Sequence, residues 1–145
     1  MQSPSTQAGK TDSGWTAFVE KLEAAELEFV KGRPADFKAL WSKADDVTIC
    51  GGFGNIEAGW ANVTARLDWA SSKFTEGTRT NEKVSNIVSG DIAHLVQKEF
   101  IRFRLPGHTD WSTIEFRATM VFRREAGEWR VVHRHADMQT GTKAP

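Results

Sequence analysis

The chain predicts an α+β fold, with three N-terminal helices packed on a strongly curved antiparallel sheet. Two observations carry that reading. Apolar residues recur at three- and four-residue steps up to about residue 74, then at two-residue steps after Gly77. Turn signals at Ser89-Gly90, Pro106-Gly107-His108 and Glu125-Ala126-Gly127 divide the later part into segments 78–88, 91–105, 111–124 and 128–138. Helices followed by an antiparallel meander place the helices on one face of a bent sheet. Segments this long exceed the usual strand of roughly 5–6 residues, so bulges and curvature are expected.

Residues 1–13 form a polar tail. Trp15, Phe18, Val19, Leu22, Ala25, Phe29 and Val30 then make one apolar helical stripe, with Ser13 suited to cap its start and Gly32 its end. Glu26 falls at the stripe's margin and is read as a carboxylate that reaches solvent. Pro34 suits the first turn of a short second helix through Trp41, burying Phe37, Leu40 and Trp41. Residues 46–50 read as a strand, broken by Gly51-Gly52-Phe53-Gly54. A third helix is predicted over 59–74, burying Trp60, Val63, Leu67, Ala70 and Phe74. Residues 14–139 are read as one domain and 140–145 as a short polar tail.

Composition limits the function classes. The 145 residues are 39% hydrophobic and 26% charged, in keeping with a single globular core. Nineteen basic residues balance nineteen acidic ones, which argues against a nucleic-acid or anionic-membrane partner, since both need a basic surplus. No apolar run approaches the roughly 20 residues of a membrane span, and residues 1–14 lack the apolar stretch of a signal peptide. Cys50 is the only cysteine, so no intrachain disulfide forms and a cytoplasmic location is expected.

Several stretches carry a resemblance. They are Ala44-Asp45-Asp46-Val47-Thr48-Ile49, Gly51-Gly52-Phe53-Gly54 with Gly59-Trp60, and Arg66-Leu67-Asp68-Trp69-Ala70. With them go residues 117–124 (RATMVFRR) and 127–135 (GEWRVVHRH). Together they resemble the SnoaL-like branch of the nuclear transport factor 2-like superfamily. The last stretch also resembles the association (hub) domain of calcium/calmodulin-dependent kinases. The resemblance implies a cone enclosing a central pocket, and a homodimer formed through the sheet face. Members of the superfamily isomerise, cyclise, dehydrate, hydrolyse epoxides, carry cargo or assemble, so fold alone does not name a reaction.

Strand alternation sorts the candidates for chemistry. In 91–105, Ala93, Leu95, Gln97, Glu99, Ile101 and Phe103 share the more apolar face, which puts Glu99 inside. Poor solvation would raise its pKa and suit it to general acid or base work. The alternatives are a bulge that turns it outward, or a structural ion pair with an arginine. In 111–124, Ile114, Phe116, Ala118, Met120 and Phe122 should face the helices. The last strand is ambiguous, with Trp129, Val131, His133, His135 and Asp137 on one parity and Arg130, Val132, Arg134 and Ala136 on the other. The hub resemblance implies that the second set faces inward, bringing Arg134 to Glu99. There it would bind a carboxylate or enolate, or simply neutralise Glu99.

Trp60, Val63, Leu67, Phe53, Met120 and Phe122 are the expected pocket wall, with Arg117, His133 and His135 as further polar candidates. His133, His135 and Asp137 project together and could hold zinc or iron. The resemblance places them on a packing face instead, so neither metal nor cofactor is expected. The glycine loop has no following Lys-Ser/Thr and is not a phosphate loop. The chain also departs from ketosteroid isomerases of this fold. It has no tyrosine, and Gly51 and Thr119 or Met120 stand where the family's acidic residues align.

The expected function is an apolar, aromatic-lined pocket for a small cyclic or polyketide-like molecule. Glu99 would move a proton, with Arg134 or Arg117 stabilising negative charge, in isomerase, cyclase or dehydratase-type chemistry. The open alternative is a non-catalytic ligand-binding or oligomeric assembly module.

Overall fold

A computed structural model describes residues 13–140. The tails expected before and after those residues, and the side chain of Ser13, lie outside the description. Helix α1 spans Ser13–Phe29, α2 Ala35–Ala39 and α3 Trp60–Ser71. The strands are β1 Thr48–Cys50, β2 Ile56–Ala58, β3 Thr75–Ser89, β4 Ile92–Arg104, β5 Ser112–Glu125 and β6 Glu128–Met138. The three helices lie before the four long strands, and a small β1–β2 hairpin separates α2 from α3. Sequence reading missed β2, whose three residues are too few to show alternation.

Helix α1 stops where Gly32 was expected to stop it. Gly32 adopts φ +85°, its N–H bonds to the Phe29 carbonyl at 3.1 Å, and the Arg33 N–H bonds to the Glu28 carbonyl at 3.0 Å. That pair of bonds is a Schellman cap, which only a residue at ease with positive φ closes cheaply. Helix α3 ends at Ser71 rather than Phe74. The Ser71 hydroxyl donates to the Phe29 carbonyl at 2.7 Å, and Phe74 drops into the core behind it.

The six strands form one open sheet in the order β2-β1-β6-β5-β4-β3. It is mixed, not wholly antiparallel as predicted, because β1 runs parallel to β6. The cause lies just before β1. Val131 is bonded to the residues on both sides of Trp41 (Ser42 N to Val131 O 2.9 Å, Val131 N to Leu40 O 2.9 Å), so the chain leaving α2 is laid alongside β6 in the same direction. The expected bulges are present at three register shifts, two in β3 and one between Val121 and Phe122 of β5.

The third shift settles the ambiguous last strand. Phe122 pairs with Val131 but Val121 pairs with His133, leaving Val132 as an extra residue. Trp129 and Val131 therefore face the core before the bulge, and Arg134 and Ala136 face it afterwards. Each parity is right for half the strand.

The core has two parts. One gathers around Trp15, whose ring meets Phe18, Phe122 and Trp129 at centroid distances of 5.7, 4.9 and 5.1 Å. The other joins Val30, Phe74, Ile101, Phe103, Phe116, Ala118 and Ala136. No helix among the described residues is long and apolar enough to cross a membrane.

The β5–β6 turn carries a misfit residue. Ala126 and Gly127 have φ of +50° and +82°, both central positions of a primed hairpin turn, where alanine is strained and asparagine is not. Ala126→Asn is expected to stabilise the fold by about 0.5–1 kcal/mol, read as a higher urea midpoint with an unchanged slope.

Candidate functional site

Between the two parts of the core lies a cavity of about 60 Å³. Phe29, Phe37, Ile49, Phe53, Leu67, Phe74, Ile101 and Phe116 make its apolar wall, and Glu26, Arg79 and Arg134 its polar end. Each polar residue comes from a different element: α1, β3 and β6. Glu99, from β4, stands behind the two arginines with no exposed surface.

Glu99 is held from three sides. Arg134 makes a two-pronged contact, Nη2 to Oε1 at 2.7 Å and Nη1 to Oε2 at 2.9 Å. Arg79 Nη2 lies 3.0 Å from Oε2, and Gln97 Nε2 donates to the same oxygen at 2.8 Å. Burial by itself would raise the carboxyl's pKa. The charges of Arg134 and Arg79, with the bonds from Arg134 and Gln97, more than reverse that and hold it well below the ordinary range. This corrects the sequence expectation. Glu99 sits inside as predicted, but as a firmly ionised carboxylate, because two guanidinium groups share it. Arg134 is pulled down by its own burial, yet Glu99 raises it overall.

Glu26 is the residue the sequence reading misplaced. It is 2% exposed, not solvated, because β3 curves beneath α1 and turns Arg79 and Asn81 up toward it. Asn81 Nδ2 donates to Oε1 at 3.1 Å. Oε2 faces Arg79 Nη2 at 3.4 Å and receives no hydrogen bond from any described residue. Burial pushes the Glu26 carboxyl up; Arg79 opposes this, and the negative Glu99 adds to it. The site thus holds two carboxylates with pKa values driven apart, which is how one environment separates a permanent charge from a proton carrier.

The other sequence candidates divide. Phe53 and Leu67 line the cavity. Val63, Met120 and Phe122 do not; they are fully buried in the packed core around Trp15. Met120 does touch the site from behind, its sulfur 3.8 Å from Arg134 Nη1. Trp60 lies off the cavity as well, beside Trp41 and under the Lys43 ammonium, 4.2 Å from its ring centre.

Arg117, His133 and His135 are on the opposite face of the sheet, because Arg117 lies between the buried Phe116 and Ala118 and the two histidines flank the inward Arg134. Arg117 is spent on Asp137, with bonds of 2.9 and 2.8 Å. His133 bonds Thr48 at 2.7 Å, and burial lowers its pKa. The rings of His133 and His135 are 6.4 Å apart, and among the described residues no three His, Cys, Asp or Glu side chains converge to hold a metal ion. Arg79 was not singled out from sequence. Its signal was an arginine and an asparagine two apart on a strand whose opposite residues point to solvent.

A sequence model described as the SnoaL-like domain matches residues 20–139. The chain belongs to that family. No curated protein matches it significantly in sequence. Among solved structures it is similar to a nuclear transport factor 2-like superfamily protein from Salmonella enterica serovar Typhimurium, at 17% identity and a TM-score of 0.74, covering 90% of this chain and 95% of that one. A candidate calcium/calmodulin-dependent protein kinase type II association domain from Thiobacillus denitrificans matches at 25% identity and a TM-score of 0.64, covering 88% and 93%. A candidate dehydratase of the same superfamily from Streptomyces avermitilis matches at 21% identity and a TM-score of 0.68, covering 96% and 100%.

Two predictions follow from the opposed carboxylates. Glu99→Ala leaves Arg134 and Arg79 buried with too little negative charge and is expected to cost about 3–5 kcal/mol in chemical denaturation. Glu26 acts in the other direction. Its folded pKa lies above the unfolded value of 4.5, so the unfolded chain gives up that proton first and stability falls as pH rises through that window. Glu26→Gln removes this fall, and its stability profile should be flatter than the native one as pH rises from 4.5.

Proposed function

We propose that the cavity binds a small, mostly apolar organic molecule, with its polar end against Glu26, Arg79 and Arg134, and that Glu26 moves a proton. The observation that carries this reading is Glu26 Oε2, a buried oxygen that accepts no hydrogen bond from a described residue and has only the Arg79 guanidinium near it, at 3.4 Å, on the wall of a largely apolar cavity. A buried polar atom left unpaired costs stability, and such a cost is retained where a ligand supplies the missing partner.

The chemistry follows from the charges. Ionised Glu26 takes a proton from a carbon beside a carbonyl, and the electron pair moves onto the carbonyl oxygen. Arg79 and Arg134 stabilise that developing enolate, while Glu99 keeps both guanidinium groups in place. Neutral Glu26 then returns the proton at another carbon, an isomerisation, or a leaving group departs from the next carbon, an elimination. Solved structures with this fold include a candidate dehydratase and the hexachlorocyclohexane dehydrochlorinase LinA, both consistent with proton removal. At about 60 Å³ the cavity is smaller than the roughly 150 Å³ that holds a benzene ring, so a single ring enters only where the wall gives way, and an extended polyketide is disfavoured.

A second reading is a binding or assembly module without turnover. The 25% identity to a candidate kinase association domain favours it. So does the way Glu99 already occupies much of both arginines' bonding capacity.

Deuterium exchange at the carbon beside the carbonyl of cyclohexanone-type ketones separates the two. Proton chemistry predicts that the native chain accelerates exchange over buffer, increasingly so as pH rises past the elevated Glu26 pKa. Glu26→Gln should then lose about 10²–10⁴-fold. Ligand binding with no exchange at any pH would favour the module, and light scattering would then show whether it assembles beyond a dimer.

A further inference from the structure

We propose that loop 51–55 is a movable gate over the cavity, with Phe53 as its stopper and Arg66 as its latch, so that Phe53 sets the size of ligand admitted. The inference rests on the reading of the cavity as a binding site. It adds the route of entry and the residue that limits it.

The deep wall of the cavity is closed by buried side chains, among them Phe37, Ile49, Leu67, Ile101 and Phe116. The partly exposed apolar lining on the α3 side is Gly51, Gly52, Phe53 and Ala70, where the loop meets the helix. The loop is the tip of the β1–β2 hairpin, fixed at its base by the Cys50–Ile56 pairing. Between those anchors its polar hold on the body is slight, and apart from it the loop is held by the packing of Phe53 and Gly52. The Gly54 N–H closes a turn onto the Gly51 carbonyl at 2.9 Å, and Arg66 Nη2 donates to the Gly54 carbonyl at 3.0 Å. Three of its five residues are glycine, and Gly54 and Asn55 have φ of +96° and +73°. Such a segment hinges at its ends without disturbing a strand.

Phe53 is the part that fills the opening. Its ring meets Phe74, Trp69 and Phe116 at 5.7, 6.0 and 6.1 Å, so it completes the aromatic wall when the loop is down. A ligand ring entering beneath it would take over those contacts. Gly52 fits the same picture. A Cβ there would stand 2.4 Å from the Phe116 ring, so the loop seats only because residue 52 has no side chain. Arg66 is itself braced, its guanidinium 4.0 Å from the centre of the exposed Trp69 ring. That brace gives the latch a fixed post.

Three variants test the gate with benzene and naphthalene as probes, using calorimetry for affinity, NMR line shapes for exchange rates and circular dichroism for the fold. The native chain should take benzene and discriminate against naphthalene. Phe53→Ala should bind naphthalene about tenfold more tightly than the native chain does. Arg66→Ala should speed both entry and release of benzene about fivefold, one hydrogen bond's worth, with affinity little changed. Gly52→Ala, which cannot seat the loop, should release benzene faster still. Benzene binding with native rates and native size preference in all three folded variants would overturn the gate and leave the cavity reading standing. Failure of both probes to bind the native chain and every variant would overturn the gate and the binding site together.

Discussion

The structure is organised around one buried carboxylate whose charge is held by two guanidinium groups. Glu99 has no contact with water, and it persists as an ion because Arg134, Arg79 and Gln97 surround it. Those partners come from β6, β3 and β4, so the knot ties together strands from across the sheet. Replacing such a cluster with apolar groups is often neutral or stabilising, which makes its retention poor evidence of a stability role. What the knot does secure is the direction of two guanidinium groups, both turned toward the same small space between the halves of the core.

Glu26 depends on that arrangement. If Glu99 were absent, two cations would face Glu26 alone and would drive it to the ionised state. With Glu99 present, one negative charge is already supplied, and a second is disfavoured by both burial and repulsion. When Glu26 carries a proton, the four groups have a net charge of +1; when it is ionised, they have none. The same side chain therefore alternates between two electrostatic settings of the cavity, and a ligand that brings or removes a proton selects between them.

Much of this was legible in the sequence, for reasons that can be named. Alternation placed Glu99 inward because β4 has no bulge between Ala93 and Phe103. The four long strands showed themselves because turn residues separate them. What sequence could not supply was anything set by curvature. Glu26 lies at the edge of its helical stripe, and whether an edge residue meets solvent or a neighbouring strand depends on how far the sheet wraps beneath it. Arg79 was hidden for the same reason. The wall residues Val63, Met120 and Phe122 face the expected way, but facing inward does not distinguish packed core from cavity. His133 and His135 face outward, a distinction obscured by the broken alternation of β6, while Arg117 faces outward as the regular alternation of β5 already indicates.

That broken alternation has a chemical consequence. Because Val132 is supernumerary, the chain has placed a guanidinium where an uninterrupted strand would have put an imidazole. Flattening the bulge with every residue kept would exchange His133 for Arg134 across the sheet, whereas removing Val132 would take the bulge away and leave Arg134 facing inward. The identity of the inward group is therefore decided by the bulge as much as by the side chains the strand carries. Comparisons that slide these strands past one another without allowing for it will match residues that lie on opposite faces.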